Sequence, residues 1–375
     1  MADGIVVALS GLKAPALFSG SPMRAKLGRR MFSRVMGFVS TDMAIDLGTA
    51  NTLVYVPGRG IVLEEPSVLA IAQRENGREI IAVGHEAKSM LGRTPDSIET
   101  IQPMRDGVIA DFAAAEEMIK HFVRRAQGRK TFGSPRILIC VPASATPVER
   151  RAVYEAALVA GARKVYLIEE PVAAALGAGL PISEPRGSMI VDIGGGTTDI
   201  AVLSLGGVIY SRSIRTAGHA MDEAIIDYIR FNHRLLIGAA SAESIKKEAG
   251  SAVAKLNGTH VAVRIKGRDL QRGMPTEIKL QSHDIANALS PPLQRIVDGI
   301  QRALSEIPPE LAGDICESGV FLTGGGALLD RLDVRLSNET GIKFKIAEDP
   351  LRCVVRGSGI ALERLDTMGD LLIKP

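Results

Sequence analysis

Asp46-Leu47-Gly48-Thr49-Ala50-Asn51-Thr52 and Asp192-Ile193-Gly194-Gly195-Gly196-Thr197-Thr198-Asp199 decide how this chain reads. Each follows a short apolar run, Met43 to Ile45 and Met189 to Val191, so each reads as strand, acid, tight Gly/Thr turn, strand. The two copies lie 146 residues apart, a spacing that points to one domain design used twice. Glycine carries no Cβ, so successive backbone N–H groups can crowd into an anion-binding concavity. The threonine hydroxyls add donors for phosphate oxygens, and the leading aspartates offer hard oxygen ligands to Mg2+, directly or through water. Two such hairpins facing each other would clamp a nucleotide's phosphates from both sides. One glycine-rich turn alone would suit a plain hairpin equally well. Neither copy is a G-x-G-x-x-G opening a helix or a G-x-x-x-x-G-K-[ST] loop, which disfavours dinucleotide-binding and P-loop readings.

Composition sets the frame for that motif pair. A chain of 375 residues with 46% hydrophobic content can build a large core and more than one domain. A net charge of +3 gives no electrostatic signal for nucleic acid. Cys140, Cys316 and Cys353 are far apart and odd in number, a reducing-compartment pattern without a disulfide framework. Cys140 ends the apolar run Ile137-Leu138-Ile139 and reads as a buried thiol. The six histidines lack zinc-ligand spacing. No apolar run approaches the roughly 20 residues of a membrane span.

Charge is uneven at the start of the chain. Between Asp3 and Asp42 there is no acid, while Lys13, Arg24, Lys26, Arg29, Arg30 and Arg34 accumulate. Met23, Leu27, Met31 and Val35 recur every fourth residue beside Phe32, Met36, Phe38 and Val39. As a helix, this segment carries an apolar stripe opposite an arginine-rich face, the pattern of a helix lying in a membrane interface. Residues 1–40 are therefore expected to form a basic amphipathic membrane-binding segment; a disordered basic tail or a targeting peptide is the bland alternative. Met23 and Met31 are alternative candidate starts, which would remove residues 1–22 from the cellular protein. A second candidate membrane contact is Phe132, beside Arg129 and Lys130, although one exposed apolar residue is ordinary.

Along the rest of the chain, Ile61 to Ile71 reads as strands broken by Pro66. Gln73 to Arg105 is polar and turn-rich, as a small inserted subdomain would be. Ala113 to Gln127 is helical, with Met118, Ile119, Phe122 and Val123 on one face and Gly128 ending it. Arg136 to Val141 is a buried strand. Thr146-Pro147-Val148-Glu149 supplies an N-cap, an N1 proline and a capping-box glutamate for a helix running to Gly161. A strand over Val165 to Ile168 precedes a helix over Pro171 to Ala178. The second half repeats the theme: a hairpin over Met189 to Leu205, helices over Asp222 to Leu236 and Ala242 to Ala249, a basic strand-like stretch at 257–281, and helices from His283 to Glu306. Val320 to Leu322 then runs as a strand into a third glycine turn, Thr323-Gly324-Gly325-Gly326-Ala327, followed by helix. The alternation argues for an α/β chain with partly parallel sheets.

Two phosphate hairpins, a helix after Glu169-Glu170-Pro171 and a late T-G-G-G-A turn resemble the actin, Hsp70 and sugar-kinase superfamily. Within it the chain is similar to the MreB family of bacterial actins, through Ala44 to Thr52, through Pro103-Met104-Arg105-Asp106-Gly107-Val108-Ile109-Ala110-Asp111-Phe112, and through Leu322 to Leu329. The resemblance covers about residues 31 to 365. It implies an actin-like ATPase fold: two related α/β domains, each a mixed sheet flanked by helices, with the nucleotide in the interdomain cleft. The implied subdomains are IA (41–71, 114–183 and 352–375), IB (72–113), IIA (184–220 and 285–351) and IIB (221–284). It also implies a cytoplasmic protein, peripheral on the inner face of the cytoplasmic membrane. That protein would hydrolyse ATP, polymerise into homopolymer filaments and direct cell-wall synthesis to maintain cell shape, with RodZ, MreC and MreD as partners.

The residue roles implied by the resemblance are specific. Gly48, Thr49, Ala50 and Asn51 would hold one side of the phosphates, and Gly194, Gly195, Gly196 and Thr197 the other. Asp46 and Asp192 would orient Mg2+ through its water shell. Glu170 would polarise the attacking water and Thr197 help place it; positioning and charge stabilisation carry most of phosphoryl transfer. Read without the family, Glu169-Glu170-Pro171 equally suits an acid-rich helix N-terminus. The adenosine would lie against Gly324, Gly325 and Gly326, within reach of Glu243, Lys246 and Lys247. By spacing alone, Glu243 and Lys247 form an ordinary i, i+4 surface pair. One departure stands out. Where the family usually has G-D-x-M-D, this chain has Gly218-His219-Ala220-Met221-Asp222, which predicts altered nucleotide or filament dynamics with binding retained. A small-molecule kinase would need an acceptor-facing base that no motif supplies. An Hsp70-like chaperone is disfavoured by the short stretch after Leu365. A scaffold that binds ATP but scarcely hydrolyses it overlaps with the filament reading and is opposed only by Glu170 and Thr197.

Overall fold

The computed structural model describes residues 41–74, 77–128, 133–253 and 263–373. The amphipathic segment 1–40 and Phe132 lie outside them. Each aspartate-glycine turn sits between two strands of a larger sheet, and the two large sheets share one plan. In the first, Met43–Leu47, Asn51–Val56 and Gly60–Pro66 form an antiparallel meander, and Met43–Leu47 then runs parallel to Arg136–Val141, which runs parallel to Lys164–Glu169. In the second, Ser188–Ile193, Thr198–Ser204 and Gly207–Ile214 form the meander, and Ser188–Ile193 runs parallel to Val320–Thr323, which runs parallel to Phe344–Ile346. A short strand, Leu372–Ile373, adds antiparallel to Lys164–Glu169. The repeat inferred from the two motifs is thus a repeat of topology.

The central strands are apolar on both faces because both faces are covered. Ile137, Leu138 and Ile139 are fully buried, as are Met189, Ile190 and Val191. One face of the first sheet packs on the helices Phe112–Gln127 and Pro147–Val159, with Met118, Ile119, Phe122 and Val123 all buried as their helical spacing predicts. Asp111 caps the first of these by accepting from the Ala114 N–H at 3.0 Å, and Gly128 closes it with a φ of 74°. The capping box of the second is present in full: Thr146 Oγ1 accepts from the Glu149 N–H at 3.2 Å, and Glu149 accepts from the Thr146 N–H at 2.7 Å. The opposite faces of the two sheets look toward each other across the helices Glu170–Gly177 and Cys353–Glu363. One core holds Ala44, Leu138 and Ile168 from the first sheet, Ile190, Ala201 and Leu203 from the second, and Ala173, Ala174 and Ala361 from the helices. Cys140 lies in it with its thiol 2.8 Å from the Ser358 hydroxyl, and burial pushes that thiol well up.

Two smaller sheets rise beside the large ones. Leu69–Arg74, Gly77–Val83 and Ile98–Ile101 form one, capped by the short helix His85–Met90; its first strand begins at Leu69, ahead of the polar stretch Gln73 to Arg105 that holds the rest. Leu235–Leu236, Val263–Asp269 and Pro275–Leu280 form the other, flanked by the helices Gly218–His233 and Ala239–Ala249. Two expectations shift. The helix expected over Asp222 to Leu236 begins four residues earlier, at Gly218, because the Gly218 and His219 N–H groups bond the Gly194 and Gly195 carbonyls at 3.1 and 2.8 Å and anchor its start on the second turn. Ser282–Glu306 is one helix where more than one was expected from His283 to Glu306, and it runs through Pro291 and Pro292. Its long buried stripe, including Leu289, Leu293, Ile296 and Ile300, outweighs the lost backbone bonds.

Candidate active site in the cleft between the two sheets

The two glycine turns face each other. A Cβ on Gly195 would stand 2.7 Å from the Ala50 Cβ, and one on Gly196 would stand 2.8 Å from the Asp106 Cα. Only glycine permits that approach of backbone to backbone. Ser67 fixes the first turn by donating to the Gly48 carbonyl at 2.6 Å, and Thr49 Oγ1 accepts from the Gly107 N–H at 2.9 Å. The second turn closes on itself, Gly194 N–H to Thr197 O at 2.9 Å. Above the turns opens a cleft of about 880 Å³, of the size that takes a nucleotide-sized ligand.

Every residue assigned to nucleotide, metal or catalysis lines this cleft: Asp46 and Gly48 to Asn51, Glu170, Asp192 and Gly194 to Thr197, then Glu243, Lys246, Lys247 and Gly324 to Gly326. Between the two adjacent acids the fold discriminates. Glu170 faces the cleft and is buried, while Glu169 turns toward Arg150 at 3.7 Å. Sequence reading missed several contributors. Lys88 and His85 come from the first small sheet, Leu328, Leu329, Leu351 and Val354 give one wall its apolar character, and Gly107 arrives from a two-stranded ribbon. Only the family stretches around Gly107 and from Leu322 to Leu329 carried any signal for these. Asp199 was quoted in the motif but given no role. It pairs across the strands with Asp192, so two buried carboxylates sit side by side.

The acids behind the turns form the electrostatic centre of the site. Burial, with the Asp192 charge adding to it, pushes Asp46 up to about 7. Burial lifts Asp192 to about 6, and burial with Asp192 lifts Asp199 to about 7. Glu170 is pushed well above the usual carboxylate range, first by burial and then by Asp199, Asp46 and Asp192. Asp192 Oδ1 and Asp199 Oδ2 are buried without a hydrogen-bond partner. Clustered carboxylates with orphaned oxygens fit a divalent cation, whose charge would reverse each of these shifts. Among the described residues, no three His, Cys, Asp or Glu side chains converge on one point as direct ligands, so a hydrated ion held through water suits the donors better than a dehydrated one.

That cluster has a measurable cost. The folded-state pKa of Asp192 lies above its ordinary value of 3.8, so its penalty is absent below about pH 4 and complete above about pH 7. In the metal- and nucleotide-free protein, Asp192→Asn should therefore raise stability at pH 7.5 by about 1–3 kcal/mol. The gain should shrink toward pH 5. Thermal melts of both proteins across that range check it, and a variant less stable than its parent at pH 7.5 would show that the carboxylate is structurally required.

On the opposite wall, Lys246 is half-sheltered and already engaged. Its ammonium donates to the Gly218 carbonyl at 2.8 Å and pairs with Asp222 at 2.8 Å. Lys247 pairs with Glu243 at 2.7 Å, so the i, i+4 pair expected from spacing forms and borders the cleft as well. Although burial alone would raise it, Glu243 is held down to about 2 by Lys247 and Lys88. His219 lines the same wall, and burial lowers its imidazole despite the nearby Asp222 carboxylate, which favours the neutral form.

Two sheets of shared topology with facing Gly/Thr turns over a nucleotide-sized cleft define the actin-like class of fold. A model of the MreB/Mbl protein family matches residues 40–370. The cell shape-determining protein MreB of Escherichia coli strain K12 is 55% identical over 343 residues, which are 90% of this chain and 98% of that protein. The cell shape-determining protein Mbl of Bacillus subtilis strain 168 is 46% identical over 327 residues, 87% of this chain and 97% of that protein. The crystal structure of MreB5 of Spiroplasma citri bound to ADP superposes with a TM-score of 0.83 at 39% identity, covering 88% of this chain and 98% of that one; its AMPPNP complex matches equally well. The chain belongs to the MreB/Mbl family.

Proposed function

We propose that this chain is a cytoskeletal ATPase that assembles into homopolymer filaments with ATP and Mg2+ on the inner face of the cytoplasmic membrane. There it directs cell-wall synthesis to maintain cell shape, alongside RodZ, MreC and MreD. The observation that carries the nucleotide part is the pair of glycine turns approaching backbone to backbone over a buried acid cluster. Support for the ligand class comes from the Spiroplasma relative, bound to ADP in one structure and AMPPNP in another. The names of the curated relatives support the cell-shape role. In this reading the cleft is walled by subdomains IA, IB, IIA and IIB with the boundaries expected from the sequence.

The residue roles in this reading are those the family resemblance implies, and the shared lining of the cleft supports them. Turn N–H groups of Gly48 to Asn51 and Gly194 to Thr197 bind the phosphates. Asp46 and Asp192 would hold Mg2+ through its water shell, and the ion would supply charge neutralisation at the phosphate oxygens. Glu170 orients and polarises the attacking water and Thr197 helps align it. Gly324 to Gly326 let the backbone approach the base, with Glu243, Lys246 and Lys247 on the ribose side. In this role Lys246 exchanges its present partners, the Gly218 carbonyl and Asp222, for the sugar hydroxyls.

Residues 1–40 supply the membrane anchor in this reading, and no described helix is long and apolar enough to cross a membrane. The test is pelleting with anionic lipid vesicles, with ATP and with ADP, for the full chain and for a version lacking residues 1–40. The expected result is ATP-dependent co-sedimentation of filaments, reduced about tenfold or more by the truncation, since each basic residue near an anionic surface is worth about 1 kcal/mol. Equal pelleting of both versions would remove the anchor; no assembly of either with any nucleotide would remove the filament.

A further inference from the structure

Lys88 and Glu243 are 155 positions apart in sequence, and their helices pack into separate cores. Lys88 sits on the helix His85–Met90, held to the first small sheet by Ala87, which is buried with Val68, Ala70 and Ala82. Glu243 sits on the helix Ala239–Ala249, whose Ala242 and Ile245 are buried in the core of the other half. The two side chains meet across the mouth of the cleft: Lys88 Nζ lies 3.0 Å from Glu243 Oε1 and 2.8 Å from Oε2. Both residues line the cavity. The Lys88 and Glu243 side chains keep about a third of their exposure, so the pair is wet enough to break yet shielded enough to matter. Lys247 holds Glu243 from its own helix at 2.7 Å, which keeps the carboxylate ionised and aimed at Lys88.

We propose that Lys88 and Glu243 form an electrostatic latch across the cleft that sets how fast nucleotide leaves. The proposal rests on the cleft being the nucleotide site. The residues assigned to the base and the phosphates line the same cleft as Lys88 and Glu243, and in the proposal nucleotide leaves between the two small sheets. Breaking one partly shielded ion pair is then part of the barrier to release, and that barrier falls with salt. The two halves also touch at the glycine turns and in the core they share, so in the proposal the latch opens while those contacts hold.

The test is the release rate of a fluorescent ADP analogue, chased with excess ADP in stopped flow, at 50 and 500 mM salt. Lys88→Met keeps the aliphatic stem and removes the charge; Lys88→Arg keeps the charge. The expected result is release about three- to fivefold faster for Lys88→Met at low salt, and within twofold of the parent for Lys88→Arg. The parent should approach the methionine variant at high salt, while the variant hardly changes. A direct phosphate contact by Lys88 would instead slow ADP and spare adenosine, so the same chase with a fluorescent adenosine separates the two: the latch predicts the same factor for both ligands. Equal rates and equal salt slopes for parent and Lys88→Met would overturn the latch. Hydrogen exchange of the nucleotide-free protein gives an independent reading, with residues 84–91 exchanging faster in Lys88→Met. If the parent binds no analogue, the nucleotide assignment itself fails, and the latch with it.

Discussion

Replacing Glu170 by glutamine should lower ATP turnover about 10²–10⁴-fold and leave nucleotide affinity within a few fold. The reason is geometric first. Glu170 opens the helix Glu170–Gly177 directly after the strand Lys164–Glu169, which aims its carboxylate into the cleft between the two glycine turns. It is buried beside Asp46, Asp192 and Asp199, which with burial push its proton affinity well up. A bound cation would reverse that shift and leave the carboxylate ionised, free to accept a hydrogen bond from the attacking water. Glutamine keeps the shape and removes a charge that burial disfavours, so the variant should melt no lower than its parent. Glu169→Gln is the control: that carboxylate leans on Arg150 outside the cleft, and its loss should change turnover by less than about twofold, in line with the small worth of such pairs. Phosphate release at saturating ATP and fluorescent-nucleotide titration read both variants. Wild-type turnover in Glu170→Gln, or an equal loss in Glu169→Gln, would remove Glu170 from the chemistry.

The largest effect on stability is expected at the crossing of two helices. In Glu170–Gly177 and Cys353–Glu363 the backbones touch: a Cβ on Gly357 would run into the Ala173 carbonyl, and one on Gly177 into the Cys353 carbonyl. Neither collision meets a side chain that could rotate away. Gly→Ala inside a helix ordinarily stabilises by roughly 0.5–1 kcal/mol. Gly357→Ala should reverse that sign and cost about 2–4 kcal/mol, as overpacking against rigid neighbours does. The helix pair lies between the two sheets, so the strain also reaches the cleft, and nucleotide affinity should fall together with stability. Gly313→Ala is the matched control, in the helix Pro309–Ser318 with nothing within 4 Å of the added methyl; it should be neutral or slightly stabilising. Denaturant midpoints of the two variants decide the matter, and a neutral Gly357→Ala would mean that the helices can separate without loss.

Much of this protein was legible in one dimension because its signals are local. Strands show themselves as apolar runs, helices as buried stripes such as Met118, Ile119, Phe122 and Val123, and caps as Thr146 with Glu149. The two aspartate-glycine turns announce a duplicated domain because each is a continuous stretch whose backbone conformation depends on its own glycines. Helix starts and ends were less legible. The helix at Gly218 begins early because its first N–H groups find the Gly194 and Gly195 carbonyls, partners supplied by the second turn and not by neighbouring residues.

What only the tertiary structure decided is what distant residues do to each other. The sequence places Glu169 beside Glu170 without saying which one faces the cleft; the strand-to-helix junction and Arg150 choose. It lists Asp46, Asp192 and Asp199 far from Glu170; packing two sheets about one cleft buries them together and raises every one of them. Gly177 and Gly357 look like helix-weakening residues until their helices cross, and Lys88 is an ordinary surface lysine until Glu243 arrives opposite it. Local conformation is governed by a residue's own backbone and near neighbours, so a sequence can state it. Charge, burial and contact across a cleft depend on where the chain returns, and that is fixed only when both halves fold and meet.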